Sequence, residues 1–276
     1  MSSNLDSKTV EGFGAEWSKF DQSDLEESEH EKIFESYFAI FPWDRLTGKA
    51  VGFDLGCGSG RWAKKVAPKV GKLFCIDASS DALEVAKRNL SSLANCEFHN
   101  ASVANMPIED NSMDFGYSLG VLHHIPDTQG GITACVSKIK SGAPFLIYLY
   151  YAFDNRPAWF RGIWKISDVI RRGISSLPTR VKHFVAEVIA FTVYYPLARI
   201  ALVFEKIGFE VSAFPLSIYR DKTLYTMRTD SLDRFGTRLE QRFTRNQIEE
   251  MMTAAGLENI IFSENVPFWC AVGTKK

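Results

Sequence analysis

Apolar stretches with the length of strands alternate with segments of helical period along the first half of the chain. Five stretches have the length and apolar content of strands: a short one that begins at residue 51 and leads into a glycine-rich turn, then 72–77, 96–100, 113–119 and 144–151. The last is apolar along most of its length, as a strand covered on both faces should be. Amphipathic segments of helical period lie between them, among them 81–90 and 129–140. Such alternation predicts an α/β fold with a parallel sheet and right-handed crossovers.

The alternation stops after residue 151 and resumes near residue 243. The intervening segment contains two long helical patterns, 159–172 and 181–207, followed by a polar run rich in arginine and tyrosine. One capped amphipathic helix and two apolar stretches then close the chain, and these stretches, 257–263 and 268–274, suit an antiparallel pair. We therefore predict a Rossmann-like, mostly parallel seven-stranded sheet with a C-terminal antiparallel strand pair and a mainly helical inserted lid.

These patterns divide the chain into an α/β core (48–151 and 243–276), an inserted lid (152–242) and an N-terminal helical cover (1–47). The cover is predicted from three aromatic residues, Phe13, Trp17 and Phe20, which recur at spacings of four and three. Residues at these spacings share one face of a helix, and such a face needs a surface to pack against.

Composition and charge narrow the class of protein. Apolar residues make up 46% and charged residues 24%, and the net charge of −1 gives no reason to expect a nucleic-acid partner. Five scattered cysteines show no metal-binding spacing, so we predict no metal site and a reducing compartment. The first residues are polar and acidic, unlike a secretion signal, and we expect a cytoplasmic location.

The charge is unevenly distributed. Residues 151–245 contain 16 Lys and Arg against 9 Asp and Glu, whereas the rest of the chain contains 16 against 24. A basic segment within an acidic scaffold suggests that the two parts do different things.

The predicted first strand runs directly into a glycine-rich turn, Asp54-Leu-Gly-Cys-Gly-Ser-Gly60. A dinucleotide fingerprint would need a third glycine at position 61, where the chain has arginine. The D-x-G-x-G-x-G pattern resembles motif I of the class I S-adenosylmethionine (SAM) dependent methyltransferases. The segment Val121-Leu-His-His-Ile-Pro-Asp127 is similar to one in the ubiquinone and menaquinone biosynthesis methyltransferases. The resemblance covers residues 48–150 and, more loosely, 243–274.

This resemblance implies SAM as the cofactor and S-adenosylhomocysteine as the product. The glycines would admit the amino acid end of SAM, and Asp77, at the end of the second strand, would accept both ribose hydroxyls. Ser102 stands where the family usually has an acid for the adenine, so that bond would be weaker. The predicted cofactor-binding residues are Trp17, Asp54, Gly56, Gly58, Gly60, Asp77, Ala78, Ser102, Val103 and Leu119.

Two adjacent histidines, His123 and His124, follow the fourth predicted strand. A neutral imidazole there can take a proton from an acceptor hydroxyl or ammonium, and it can equally hold the loop through hydrogen bonds to the backbone. Both residues are predicted as catalytic candidates, and the sequence leaves the choice open.

The inserted lid has an apolar face and a basic face. Its apolar run, 188–198, is shorter than the roughly 20 residues that a bilayer span needs, so we predict a buried lid helix and no stable membrane span. An oligomer interface, such as a homodimer through the lid, or a lipid-facing surface is left open. The predicted acceptor-binding residues are Tyr219, Arg220, Tyr225 and Arg228.

The sequence therefore predicts a SAM-dependent methyltransferase acting on oxygen or nitrogen of a small-molecule acceptor, such as a sugar, a polyketide or another secondary metabolite. Two alternatives remain. The acceptor can be a lipid or quinone, or the chain can be a non-catalytic SAM-fold protein that binds a partner through residues 152–242. A binding module has no need of an intact glycine turn and Asp77, which argues against the second alternative.

Overall fold

The computed structural model describes residues 4–276, and the first three residues of the predicted N-terminal cover lie outside this range. The described chain forms two compact units. The first comprises the residues up to Gln22 together with Glu31–Ala152 and Leu239–Lys276, and the second comprises Ser23–His30 and Phe153–Arg238.

A seven-stranded sheet forms the first unit. Its strands are β1 (Val51–Leu55), β2 (Lys72–Asp77), β3 (Cys96–Asn100), β4 (Phe115–Leu119), β5 (Pro144–Tyr148), β6 (Leu257–Phe262) and β7 (Cys270–Lys275). Their order is β3-β2-β1-β4-β5-β7-β6, with the first five parallel and β7 antiparallel to both neighbours. The predicted Rossmann-like sheet with a C-terminal antiparallel pair is confirmed.

Helices cover both faces of this sheet, because side chains alternate along each strand. The helices are α1 (Ser7–Lys19), α2 (Glu27–Phe38), α3 (Ala63–Val66), α4 (Ser80–Asn89), α5 (Thr128–Lys138) and α10 (Arg245–Ala254). Phe53 and Leu55 belong to one apolar core, with residues of α5 and α10. Leu73 and Cys75 belong to the other, with residues of α2, α3 and α4. The buried sheet places the carboxyl ends of β1, β2 and β4 at one edge, where ligands of open α/β sheets bind.

The second unit is mainly helical, with α6 (Ala158–Ser175), α7 (Thr179–Ile189), α8 (Tyr195–Lys206) and α9 (Leu224–Gly236). A π-helical turn, Ala190–Tyr194, joins α7 to α8, so that Thr179–Lys206 is one continuous helix of 28 residues, hereafter the long helix. Its small core consists of Ile174, Tyr194, Ala198, Tyr219, Met227 and Phe235.

The long helix corrects the prediction of a buried lid helix, and it removes the length argument against a membrane span. The apolar run is part of a helix that is long and apolar enough to cross a membrane by length and composition, so an 11-residue limit does not apply. Length and apolar composition alone do not identify a membrane span, since core helices of soluble proteins share both properties. The run is also not buried, because Val188, Phe191, Val193 and Tyr195 are each more than 40% exposed.

Candidate functional site

The glycine turn after β1 has a backbone that only glycine adopts readily. Gly56, Gly58 and Gly60 have φ of +75°, +53° and +79°. A Cβ on Gly56 would lie 2.3 Å from the Val121 side chain, and one on Gly58 would lie 2.9 Å from the Trp17 ring. The turn therefore exposes main chain at the sheet edge and leaves no room for side chains.

Asp77, the last residue of β2, is bonded to this turn. Its Oδ2 accepts a hydrogen bond from the Gly58 N–H at 2.9 Å, and its Oδ1 accepts one from the Ser79 N–H at 2.8 Å. Burial raises the pKa of the carboxyl, and these N–H donors act in the opposite sense. The structure thus brings Asp77 and Gly58 together and fixes the direction of the carboxylate.

Asp54, the fourth residue of β1, is completely buried. Neither of its carboxyl oxygens has a hydrogen-bond partner among residues 4–276. Burial raises the pKa of this carboxyl well above its usual value, and the nearby Tyr117 hydroxyl offsets only part of that rise. A buried carboxyl of this kind becomes charged only when a cation pairs with it, and the site next to the glycine turn suits a cationic ligand group.

The remaining predicted cofactor residues lie at the ends of neighbouring strands. The Ala78 carbonyl accepts a hydrogen bond from the Asn100 amide, which fixes the turn after β2. Ser102 follows β3, and its buried Oγ has no hydrogen-bond partner within the described chain. Val103 and Leu119 are buried, which suits an apolar wall.

Helix α1 covers the glycine turn. Trp17 lies against Gly58, and Gly14 lies so close to α4 that a Cβ on it would be 2.6 Å from the Ser79 Oγ. Phe13, one helical turn before Trp17, contacts His124, with ring centroids 5.0 Å apart. One face of α1 therefore reaches both the glycine turn and the histidine pair.

The two histidines differ in their surroundings. His123 is fully buried and stacks on Tyr150 with ring centroids 3.9 Å apart, and both of its ring nitrogens lack a hydrogen-bond partner among residues 4–276. The Nδ1–H of His124 donates to the Leu239 carbonyl at 2.6 Å, since a carbonyl only accepts. In neutral His124 the lone pair is consequently on Nε2, so His124 has the geometry of an oriented base and His123 that of a packing residue.

The sequence reasoning missed an aromatic and charged cluster next to the histidines. Tyr150 stacks on His123, and the Arg242 guanidinium lies 4.9 Å from the Tyr150 ring centre. Arg242 also pairs with the almost fully buried Glu240 at 2.8 Å. Tyr148, Tyr150 and Tyr151 lie at the end of the fifth predicted strand, and these three tyrosines are the signal that the sequence offers for the cluster.

The predicted acceptor-binding residues all belong to the second unit. Tyr219 is buried and packs on Tyr194 in its core, and Tyr225 is half-buried on α9. Arg228 makes a bidentate pair with Glu187, and Arg220 pairs with Glu205 at 2.9 Å. Tyr219, Arg220 and Arg228 therefore have structural contacts within this unit, and the role of all four in acceptor binding stays a prediction.

Replacing His123 with Phe is expected to flatten the pH dependence of stability. Burial holds the pKa of His123 well below its usual value, and the neighbouring His124 and Arg242 side chains lower it further. The unfolded chain therefore takes up the proton first, and wild type loses up to about 1.4 kcal/mol per pH unit below about pH 6.5. Between about pH 7.5 and about pH 5, the thermal midpoint of the variant should therefore fall less than that of wild type. If the thermal midpoints of wild type and variant fall in parallel with pH, His123 is not the neutral buried group described here.

The sheet order, the glycine turn and the strand-end acid define a class I SAM-dependent methyltransferase fold. Residues 53–142 match the model of a family described as a methyltransferase domain. Residues 53–142 therefore match a methyltransferase domain, and the fold around them is that of the class I SAM-dependent methyltransferases, whose cofactor is SAM.

Curated relatives resemble parts of the chain. An uncharacterised 37.1 kDa transposon protein of Streptomyces fradiae is 36% identical over 93 residues, which are 32% of this chain and 27% of that protein. The demethylmenaquinone methyltransferase of Staphylococcus aureus is 29% identical over 114 residues, or 35% of this chain and 46% of that enzyme. The chain thus spans less than half the length of either relative.

Solved structures share the fold over nearly the whole chain. One is a chain from a Haloferax volcanii complex between a methyltransferase activator and a putative methyltransferase, with a TM-score of 0.57, 14% identity and coverage of 95% of this chain and 96% of that one. Another is a SAM-dependent methyltransferase of Thermotoga maritima described as a possible histamine N-methyltransferase, with a TM-score of 0.50, 13% identity and coverage of 96% and 100%. At these identities the likeness shows the fold alone.

Proposed function

We propose that the chain is an enzyme that transfers the methyl group of SAM to oxygen or nitrogen of a small-molecule acceptor. The observation that carries the proposal is the hydrogen bond from the Gly58 N–H to Asp77, beneath Trp17. It joins the glycine turn, the strand-end acid and the N-terminal cover into one site.

The residues of this edge fit the parts of SAM. Asp54, with two buried oxygens that have no hydrogen-bond partner in the described chain, suits the ammonium beside the glycine turn. Asp77 is oriented to receive the ribose hydroxyls, with Ala78 next to it. The buried Ser102 hydroxyl and Val103 suit the adenine, and Leu119 adds apolar surface at the end of β4.

Bound SAM supplies an electrophilic methyl group on a sulfonium. The protein has to hold the acceptor in line with that group, and positioning of this kind can contribute about 7–11 kcal/mol to the lowering of the barrier. His124 is the residue that we assign to proton removal, because its Nδ1–H is held by Leu239 and its lone pair is on Nε2. The proton lost by the acceptor oxygen or nitrogen then passes to Nε2.

A lipid or quinone acceptor is the second candidate. It is favoured by the exposed apolar side chains of α6 and the long helix, such as Ile166, Val169 and Phe184, which are at least 66% exposed. The similarity to a demethylmenaquinone methyltransferase agrees with this candidate. That residues 152–242 close over the acceptor site stays a prediction for either acceptor.

A panel of acceptors tests the proposal and separates the two candidates. The purified chain is incubated with SAM and with hydroxylated and amino compounds in solution, or with a quinone in vesicles, and S-adenosylhomocysteine is measured. Turnover with soluble acceptors supports the first candidate, and turnover confined to the vesicle samples supports the second. Absence of turnover in every sample, with SAM bound, would favour the non-catalytic alternative.

Asp77→Asn is expected to weaken SAM binding by about 1.5–3 kcal/mol, roughly ten- to a hundred-fold in Kd, because a charged acceptor of two hydroxyls is lost. Asp114→Asn is the matched control, since Asp114 also accepts a backbone N–H bond, from Val51 at 2.8 Å, but at the opposite end of the sheet. Calorimetric titration of SAM measures both. Equal affinities for the two variants would rule out Asp77 as the ribose ligand.

We propose a cytoplasmic location as well. All five cysteines are unpaired and four are buried, as in proteins of a reducing compartment. Imaging of a tagged chain tests it, and a chain found in an oxidising compartment would contradict it.

A further inference from the structure

Helix α6 has its apolar side chains on the outside. Trp159, Ile163, Ile166 and Ile170 recur at spacings of four, three and four, so they share one face, and each is more than half exposed. The buried face of the same helix contains the ion pair of Asp168 and Arg171, whose side chains are 2.7 Å apart and both buried. This arrangement reverses the usual amphipathic helix of a soluble domain.

The long helix shows the same reversal. Its fully buried positions carry small side chains, namely Ala186, Ala190, Ala198 and Ala201. Large apolar side chains point outward at spacings of three and four in its first part and again after the π-helical turn: Val181, Phe184, Val188, Phe191, Tyr195, Ile200, Val203 and Phe204. The two helices therefore present far more exposed apolar surface than single scattered residues do.

Positive charge accompanies this surface. Residues 158–206 contain eight Lys and Arg against three Asp and Glu, and each of the three acids is already in an ion pair with an arginine. Arg161, Lys165 and Arg180 are exposed, and in the described part of the chain none has an acidic side chain within ion-pair distance. The surface is thus apolar with uncompensated positive charge at its margin.

We propose that this surface, formed by the exposed side chains of α6 and the long helix, binds an anionic lipid bilayer. The helices would lie in the plane of the interface, with the apolar side chains among the acyl chains and Arg161, Lys165 and Arg180 at the headgroups. A second copy of the chain is a poorer partner, because a symmetric contact would bring the same unpaired cations together.

The long helix lies on the bilayer in this account and does not cross it. It is fixed to α9 by the bidentate pair of Glu187 with Arg228 and by the hydrogen bond from Ser231 to the Ala186 carbonyl. A spanning helix would carry these polar contacts into the hydrocarbon, which is costly. The proposal goes beyond methyl transfer and does not depend on it.

Vesicle flotation tests the proposal with the full chain. Wild type is expected to float with vesicles of phosphatidylcholine containing about one third phosphatidylglycerol, and at least about tenfold less with phosphatidylcholine alone or at high salt. Ile166→Glu with Val169→Glu should lower the floated fraction at least about tenfold, since a charge then replaces apolar contact. The matched control is Ile261→Glu on β6, where the wild-type side chain is 56% exposed.

A second pair of variants tests the charge. Arg161→Gln with Lys165→Gln should weaken binding to the anionic vesicles, whereas Lys32→Gln with Lys49→Gln removes the same charge from the first unit and should leave it unchanged. Circular dichroism and SAM titration of every variant show that the fold and the cofactor site are intact.

Three results would overturn the proposal: no flotation of wild type, equal flotation of the Glu double variant, or retention on the vesicles in alkaline carbonate as for a spanning helix. If wild type does not float and sediments as a dimer that the Glu substitutions dissociate, the surface is an interface between copies of this chain.

Discussion

Gly58→Val is expected to abolish measurable SAM binding. The new side chain has to enter the space of the Trp17 ring, which a Cβ would approach to 2.9 Å, at a backbone φ of +53°. The left-handed conformation alone costs about 1–2 kcal/mol for a residue with a Cβ, and a β-branched side chain is worse. It also disturbs the N–H that bonds Asp77. Calorimetry should therefore show at least about a hundred-fold loss of affinity, or about 2.7 kcal/mol.

Gly142→Val is the matched control for this variant. Gly142 has a φ of +79°, but a Cβ there meets no atom within 4 Å, and the residue precedes β5, away from the glycine turn. It should lower the thermal midpoint through the same backbone strain and leave SAM affinity unchanged. Normal SAM binding by Gly58→Val would mean that the glycine turn is not the cofactor site.

His124→Gln is expected to lower kcat by about a hundred-fold or more at unchanged SAM affinity, the size of effect that general-base removal has. Glutamine keeps a hydrogen-bond donor for the Leu239 carbonyl while it removes the basic nitrogen. The measurement is the rate of S-adenosylhomocysteine formation with an acceptor identified by the panel.

Two controls accompany this prediction. His123→Phe should keep most of the rate, because His123 is buried and stacked on Tyr150. His99→Gln should do the same, since His99 is a half-buried residue of β3 that pairs with Glu97. A His124→Gln enzyme with the wild-type rate would leave positioning alone as the source of catalysis.

The sheet was predictable because its strands are short, mostly apolar and separated by helices of clear period. β2 and β3 have the predicted bounds, while β4 and β5 are shorter than predicted. Their extra residues, such as Met113 and Tyr151, form isolated bridges that continue the strand geometry past the regular ladder. Strand ends depend on which neighbour offers a pairing partner, and the local sequence does not contain that information.

The cofactor edge was predictable for a related reason. Asp54, Gly58 and Asp77 are each fixed by position relative to a strand end, and the carboxyl ends of parallel strands meet in space. Tyr150, Glu240 and Arg242 were not predictable as one cluster. Tyr150 is far from Glu240 and Arg242 in the chain, and contacts such as the parallel bridge of Tyr151 with Phe243 and the hydrogen bond from Arg242 to the Tyr151 carbonyl bring the two segments together.

The exposed helices show a further limit of sequence patterns. Periodicity identified 159–172 and 181–207 as helical, and the structure has helices at Ala158–Ser175 and Thr179–Lys206. An apolar stripe, however, indicates only that a face avoids water, and it does not tell whether protein or lipid covers it. The buried alanines and the buried ion pair of Asp168 show which face of each helix packs on protein. Their burial is known only from the folded chain.

Transfer of a labelled methyl group tests the central claim most directly. The purified chain is incubated with methyl-tritiated SAM and an acceptor extract that contains both water-soluble metabolites and lipids, with Gly58→Val in parallel. We predict that wild type forms S-adenosylhomocysteine and labelled product in equal amounts and that the variant forms neither. Wild type that binds SAM but releases no S-adenosylhomocysteine with any extract would contradict the assignment of this chain as a methyltransferase.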